Sequence, residues 1–380
     1  MRLKSLEYSE HEGTFEAWTM RGLTLADVNL LVGKNASGKS RILNVIFNLA
    51  RAISGSRSLV NGHFRLAFDD RGSAVDYELE LQDEKIVREV FNVAGETRLS
   101  RGPGGRGEIF AVIEGRTITF QTPENQLAVC ARRDTLQHPY FEPLHQWAGS
   151  LYHYAFGTPL GKESLAVFSK SNGQKSSLDP KDSSQVVAIF SKGKQDFGPS
   201  FTEAVAADFR AVGYSIEEVG IETPHNVRIV GPVPGQLAGM YVKECDLPGK
   251  TDQFTMSQGM FRALSVVVQV NYAVLADTPS CILIDDIGEG LDFDRSCNLI
   301  DVLMAKARSS SVQLLMATND RFVMNRVPLE SWSVIDRKGN DVEIRNAGNS
   351  KEIFDRFKFT GLNNFDFLAF DYLHAGAADE

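Results

Sequence analysis

The stretch that most constrains this sequence lies between residues 28 and 53. The apolar run Val28-Asn29-Leu30-Leu31-Val32 is followed by Gly33-Lys34-Asn35-Ala36-Ser37-Gly38-Lys39-Ser40, and then by a helix-like run from Arg41 to Ile53. This is a complete G-x-x-x-x-G-K-S pattern in strand, loop and helix context, and it predicts a phosphate-binding loop. Glycines at 33 and 38 allow a compact turn whose amide N–H groups converge on an anion, Lys39 reaches phosphate oxygens, and the positive end of the new helix adds to the attraction. Asn35 and Arg41 flank these groups and complete the candidate phosphate contacts on this loop. The Ser40 hydroxyl is a ligand suited to Mg²⁺.

At 380 residues the chain can form one large α/β domain, or a core carrying an inserted lobe. A formal charge of -9 argues against wholesale coating of nucleic acid, leaving room only for a local basic patch. Cys130, Cys245, Cys281 and Cys297 form no C-x-x-C pair, which fits a reducing, cytoplasmic setting and speaks against a cysteine-held zinc. His138, His145 and His153 fall among Tyr140, Phe141, Trp147, Tyr152 and Tyr154, where packing is the simpler account of them. No basic segment leading into an apolar signal core is read, and no run of 18 apolar residues occurs. The longest apolar stretch, Ala263 to Ala276, contains Gln269 and Asn271 and reads as a buried helix, so no membrane partner is expected.

Period-two alternation through residues 2–8, 15–25, 64–68, 75–81, 85–93, 108–112 and 117–120, broken by Asp70-Arg71-Gly72, Ala94-Gly95 and Gly102-Pro103-Gly104-Gly105, predicts an antiparallel sheet around and after the first helix. From Pro123 to Phe156 the spacing turns helical and aromatic. Polar stretches at 169–185 and Ser191 to Ser200 read as loops flanking a short strand, Val186 to Phe190. A helix over Glu203 to Ala211 and strands near Tyr214 to Val219 and Val227 to Val230 complete an inserted lobe. Strict α/β order then returns: a helix from Gln258, a strand at Cys281 to Ile284, a helix over Asp294 to Lys306, a strand at Val312 to Ala317 and a last strand near Trp332 to Asp336. Phe357 to Tyr372 reads as a C-terminal helix. The domain boundaries expected are 1–126, 127–250, 251–345 and 346–380. No sustained heptads occur, which excludes a long coiled-coil arm.

The strand Ile282-Leu283-Ile284 ends in Asp285 and Asp286. A carboxylate at a buried strand end suits Mg²⁺ held opposite Ser40, and its neighbour suits a general base for water; Glu289, in the segment Gly288-Glu289-Gly290, is a second candidate for that base. Two aspartates standing alone in a loop would read as solvated surface. Ser257 can cap the helix from Gln258, and Gly259 permits close backbone approach there, so this N-terminus is a second candidate phosphate grip.

Together these motifs resemble the ATP-binding-cassette ATPases of the SMC, RecF and OLD group, and especially the small stand-alone bacterial ATPases of phage-defence operons. Gly33 to Ser40 is similar to the family's Walker A loop, Ser257-Gln258-Gly259 to a shortened signature, Cys281 to Asp286 to Walker B, and Gly290-Leu291-Asp292 to the D-loop. Asn319, in Thr318-Asn319-Asp320, takes the place of the switch histidine. The resemblance covers about 1–125 and 250–345. It implies a P-loop ABC-type α/β core with an antiparallel β subdomain and an inserted α/β lobe, with ATP and Mg²⁺ as cofactors. It also implies a Mg²⁺-sensing glutamine, for which Gln121 and Gln126 are the candidates, and head-to-tail assembly into a dimer or higher homo-oligomer with Ser257, Gly259 and Asp292 facing the partner's nucleotide.

Asp286 stands where the family has glutamate, and Asn319 cannot carry a proton as imidazole does. Both substitutions favour slow turnover and a switch. With no second catalytic constellation in the sequence, the expected output is control of a separate effector, such as a nuclease or toxin, in response to a phage-derived trigger. The alternatives are a DNA-binding repair or chromosome-maintenance ATPase, with Arg41, Arg51, Arg57, Arg65, Arg98, Arg101 and Arg106 as its basic surface, and a scaffold that binds nucleotide without hydrolysing it.

Overall fold

The computed structural model describes residues 1–55, 61–169, 182–224, 235–277 and 280–374. The chain divides into two compact units, one made of Met1–Leu151 with Pro328–Glu380 and the other of Tyr152–Val327. The expected strand at Val227 to Val230, most of the polar stretch 169–185, and Arg57 lie outside the described residues.

The first unit begins with β1 (Arg2–Glu10), β2 (Trp18–Thr24), β3 (Val28–Val32) and α1 (Lys39–Ile53). An antiparallel run follows: β4 (Gly62–Asp70), β5 (Ser73–Gln82), β6 (Lys85–Val93), β7 (Glu96–Arg101), β8 (Arg106–Ala111) and β9 (Arg116–Gln121). After α2 (Ala128–Ala131) and α3 (Glu142–Gly149), β10 (Leu151–Ala155) leads into the second unit. That unit holds β11 (Ala166–Ser169), α4 (Val186–Phe197), α5 (Pro199–Ala211), β12 (Ile216–Glu222), β13 (Gly235–Glu244), β14 (Lys250–Asp252), α6 (Gln258–Leu275), β15 (Ser280–Asp285), α7 (Phe293–Ser309), β16 (Val312–Ala317) and α8 (Arg321–Arg326). The chain then rejoins the first unit with β17 (Trp332–Lys338), β18 (Asp341–Asn346), α9 (Lys351–Lys358) and α10 (Asn364–Ala369).

In the first unit the strand order is β3-β17-β18-β2-β1-β4-β5-β6-β7-β8-β9. The β17/β3 and β18/β2 pairs are parallel, and the meander from β4 to β9 is antiparallel. All five residues of β3 are buried, as a strand covered on both faces requires, whereas β5 buries only Val75, Tyr77, Leu79 and Leu81 and turns Asp76 outward. In the second unit β15 and β16 are parallel, with Ile282 opposite Leu314, and α7 is the crossover between them. Helix α6 is apolar nearly all round, from Met260 to Ala273, and is correspondingly buried.

The structure corrects several expectations. Val186 to Phe190 is the start of α4, not a strand: the buried Val186, Val187, Ile189 and Phe190 have the spacing of one helix face, which a five-residue apolar run cannot distinguish from a strand. Ser191 to Ser200 is mostly helix rather than loop. Gly198, at φ 62°, separates α4 from α5, and Pro199 starts the second helix. Gly193 is needed because a Cβ there would lie 2.5 Å from the Phe201 ring. Leu151–Ala155, within the stretch read as helical, is a strand. The C-terminal segment is two short helices parted by Gly361, not one, and its phenylalanines pack together: Phe354, Phe357 and Tyr372 all surround Phe367.

Of the arginines that could form a local basic surface, Arg101 is taken into the core, whereas Arg41, Arg65 and Arg106 are exposed. Arg101 is buried against Glu89 at 3.6 Å and donates to the Gln126 carbonyl, while Arg65 faces Glu7 and Glu78, and Arg98 pairs with Glu96. The histidines pack as expected: His145 meets the Val129 carbonyl, and among the described residues no three His, Cys, Asp or Glu side chains form a metal cluster. No helix among those residues is long and apolar enough to cross a membrane.

Candidate functional site

In the first unit the phosphate loop joins β3 to α1, and its shape follows from its small residues. A Cβ on Gly33 would lie 2.6 Å from Ser37 Oγ, and Gly38 sits at φ 111°, where a side chain is strained. Ala36 accepts the left-handed region itself, at φ 61°. Lys39 is buried, and its ammonium donates to the carbonyls of Gly33 at 2.9 Å and Lys34 at 3.4 Å. Ser37 Oγ is buried with no hydrogen-bond partner among the described residues. From β17, Arg337 donates to the Ala36 carbonyl at 2.7 Å and braces the loop from outside. Asn35 and Ser40 are exposed. Arg41 turns onto the Trp18 ring, 4.2 Å from its centroid, and pairs with Glu10.

Neither candidate glutamine is brought to this loop by strand order. Gln121 ends β9, at the opposite edge of the first unit's sheet from β3, and its amide donates to the Gly104 carbonyl at 3.2 Å. Gln126 lies in the exposed turn just beyond.

In the second unit the acidic loop grows out of β15. Asp285 is buried and its Oδ1 has no hydrogen-bond partner among the described residues, while its carbonyl accepts from Phe156 N at 2.8 Å. Burying a carboxylate oxygen without a donor is costly, so the position suits a cation ligand. Asp286 is half-buried at φ 55°, a conformation aspartate tolerates better than most residues. Glu289 is exposed, and a Cβ on Gly157 would lie 2.7 Å from its Oε2 and 3.6 Å from Asp286 Oδ2, so the two carboxylates flank one spot above the turn after β10. From the end of β16, Ile287 N donates to Ala317 O, and Thr318 Oγ1 donates to Ile287 O. Asn319 is exposed beside this junction, while Asp320 caps α8.

The α6 N-terminus lies against the same loop. Ser257 caps the helix, accepting from Met260 N at 3.2 Å. The close approach that Gly259 permits is to protein: a Cβ there would lie 2.3 Å from the Gly290 carbonyl. Asp292 caps α7 through Arg295 N, and this backbone N–H, with the Arg295 side chain, holds its carboxyl below the usual range.

Sequence reasoning missed the residues that hold these loops, namely Arg337 on β17, Gly157 after β10 and Arg262 on α6. Arg262 alone left a signal, an arginine inside the otherwise apolar run from Met260 to Val270.

No protein-family model and no curated protein matches the sequence. Solved structures do match in fold. The SmcHead bound to the C-winged helix domain of ScpA superposes with a TM-score of 0.50 at 12% identity, over 91% of this chain and 97% of that one. An SMC head domain from Thermotoga maritima gives 0.44 at 15% identity, covering 91% and 99% of the two chains. An Smc head domain with an extended coiled coil, bound to the C-terminal domain of ScpA derived from Pyrococcus furiosus, gives 0.48 at 12%, covering 94% and 99%. The chain therefore has a mixed α/β fold resembling the SMC head domain.

Proposed function

We propose that this chain is an ATP-binding, slowly hydrolysing switch that works as an SMC-like scaffold for a separate partner protein. The observation that carries this reading is the buried Lys39, whose ammonium rests on the carbonyls of its own loop where a nucleotide's phosphates would take it over. In the proposal Gly33, Asn35, Gly38 and Lys39 cradle the phosphates, the Ser40 hydroxyl is suited to Mg²⁺, which would neutralise phosphate charge, and Asp285 is the second unit's candidate cation ligand. Asp285 Oδ1, buried without a hydrogen-bond partner among the described residues, supports that role. Asp286, or Glu289 beside it, orients and deprotonates water, and Asn319 is suited to hydrogen-bond a phosphate; Gln121 and Gln126, at the far edge of the first unit's sheet, take no part. A second copy packs head to tail, presenting Ser257, Gly259 and Asp292 to that nucleotide. Turnover is slow because Asp286 is one methylene shorter than glutamate and Asn319 holds no imidazole proton.

For the biological role, the likeness to heads solved with ScpA domains favours a chromosome-maintenance scaffold with a ScpA-like partner. The second reading, regulation of a nuclease or toxin in phage defence, draws on a different observation. The segment between β10 and α6 folds into α4, α5 and a short sheet of β11, β13, β12 and β14 rather than an arm.

The test is Lys39→Ala. It should weaken ATP binding by about 100-fold, the loss of a charge-assisted phosphate contact, while the circular dichroism spectrum is kept. Undiminished ATP affinity in this variant would end the proposal. Native purification with ATP, with ADP and with the variant, followed by mass spectrometry, separates the two roles: a winged-helix or kleisin-like protein supports the first, and a nuclease or toxin the second.

A further inference from the structure

We infer that Arg262 is a positioning residue that ties the α6 N-terminus to the loop bearing the candidate bases; the inference rests on the ATPase reading above and deepens it. The residue is 8% exposed, and its guanidinium donates to three backbone carbonyls, Gly157 O at 2.6 Å, Thr158 O at 2.9 Å and Glu289 O at 3.0 Å. Its hydrogen-bond partners among the described residues include no carboxylate, so a buried positive charge is spent entirely on fixing backbone. For packing alone this is an expensive choice, because an apolar side chain would fill the space without desolvating a charge. The planar fork does what no apolar or single-donor side chain can, which is to set the relative geometry of three carbonyls from two loops.

The surrounding contacts show what that geometry controls. Gly157 and Thr158 follow directly on Phe156, whose N–H bonds Asp285 O at the end of β15. Gly157 also sets the space beside Glu289 Oε2 and Asp286 Oδ2. On the helix side, Gly259 touches Gly290 O, and Gln258 Nε2 reaches Thr158 O at 3.4 Å. Arg262 therefore sits behind a continuous strip from the Ser257 cap to the carboxylates. A displacement of the helix N-terminus by the phosphate of a second copy's nucleotide passes through it to Glu289 and to the turn at 156–158. Arg262 touches no reacting atom. It acts by holding the carboxylate loop in register with the surface that senses assembly.

The experiment uses the full chain as wild type, Arg262→Gln and Arg262→Lys. It measures ATP binding by equilibrium dialysis, steady-state hydrolysis, and amide hydrogen exchange without nucleotide. Both variants should bind ATP within about twofold of wild type and keep KM, yet lose about tenfold or more in kcat. Exchange should quicken only at 156–158 and 286–292. Lysine should not restore kcat, since it keeps the charge but cannot span three carbonyls. Wild-type kcat in Arg262→Gln overturns the inference, as does a loss of activity that tracks a loss of folded protein with exchange raised throughout. Absence of ATP binding in the wild type would instead remove the ATPase reading, and the exchange pattern would still decide whether Arg262 clamps the two loops.

Discussion

The phosphate loop of the first unit and the acidic loop of the second reach their shapes by opposite means. The phosphate loop is largely closed on itself: Lys39 bonds the carbonyls of Gly33 and Lys34, Ser37 N bonds Lys34 O, and the turn is made by residues inside one octapeptide. The acidic loop is held from outside, by Phe156 and Gly157 after β10, by Arg262 on α6 and by Ala317 at the end of β16. A loop closed mainly on itself depends on the rest of the chain through fewer contacts, such as the Arg337 donation to the Ala36 carbonyl. A loop suspended from three distant segments responds to each of them.

The largest effect expected from breaking this contrast is on chemistry. Asp286→Ala should lower kcat by about 10²-fold to 10⁴-fold with ATP binding kept, as removal of a general base does. A normal rate in that variant, with the loss appearing instead in Glu289→Ala, would move the base to the exposed carboxylate.

Next comes the acid sensitivity contributed by one histidine of the second unit. His153 lies on β10, just before the turn that carries Gly157, and burial pushes its imidazole down to about 4 from 6.5. Because the folded value is the lower one, the unfolded chain takes up the proton first. The stability contributed by neutral His153 is complete above pH 6.5 and is lost as pH falls toward about 4. The loss should reach about 3 kcal/mol, and His153→Gln should flatten it in urea titrations across that window. An unchanged pH profile in that variant would assign the acid lability elsewhere.

Two glycines sharpen the comparison at a smaller scale. Gly38→Ala should cost about 1–2 kcal/mol through backbone strain alone, since φ is 111° and the nearest neighbour of a new Cβ would be Trp18 at 3.8 Å. Gly259→Ala should cost about 1–3 kcal/mol although alanine is the better helix former, because its Cβ would meet the Gly290 carbonyl at 2.3 Å. Thermal denaturation measures both costs. A stabilised Gly259→Ala would show that α6 and the acidic loop are not in firm contact.

The smallest effect is the most diagnostic. Gly157→Ala should leave the fold intact, because the atom it meets is the end of the exposed Glu289 side chain, and should displace that carboxylate. A fall in kcat of up to about tenfold would implicate Glu289 in the water site, and an unchanged kcat would leave Asp286 as the base.

Periodicity and turn chemistry made β4, β5, β6, β8 and β9 of the meander legible, since each turns one face to the core, but passed over β7, whose Leu99 and Arg101 are its only buried residues. The same reasoning failed at α4, where Val186 to Phe190 is too short to reveal its period, and it passed over β13 and β18. Arg101 drops out of the expected basic surface for another reason: an arginine's charge is visible in sequence, but whether a buried Glu89 waits for it is not.

By itself the sequence determined the glycine-bounded turn from Gly33 to Ser40 leading into α1, the buried strand ending in Asp285, and the Ser257 cap. Each is specified by residues within about one helical turn or one strand, so local steric and hydrogen-bonding rules suffice. Only the tertiary structure decided what Gly259 approaches, which carboxylates share the space over Gly157, and that Arg262 binds carbonyls at 157, 158 and 289. Those contacts join segments far apart in the chain, 27 residues for Arg262 to Glu289 and 105 for Arg262 to Gly157, and nothing in the local chain encodes them: they exist because the folding of the second unit brings β10, α6 and β15 together and leaves buried carbonyls in need of donors.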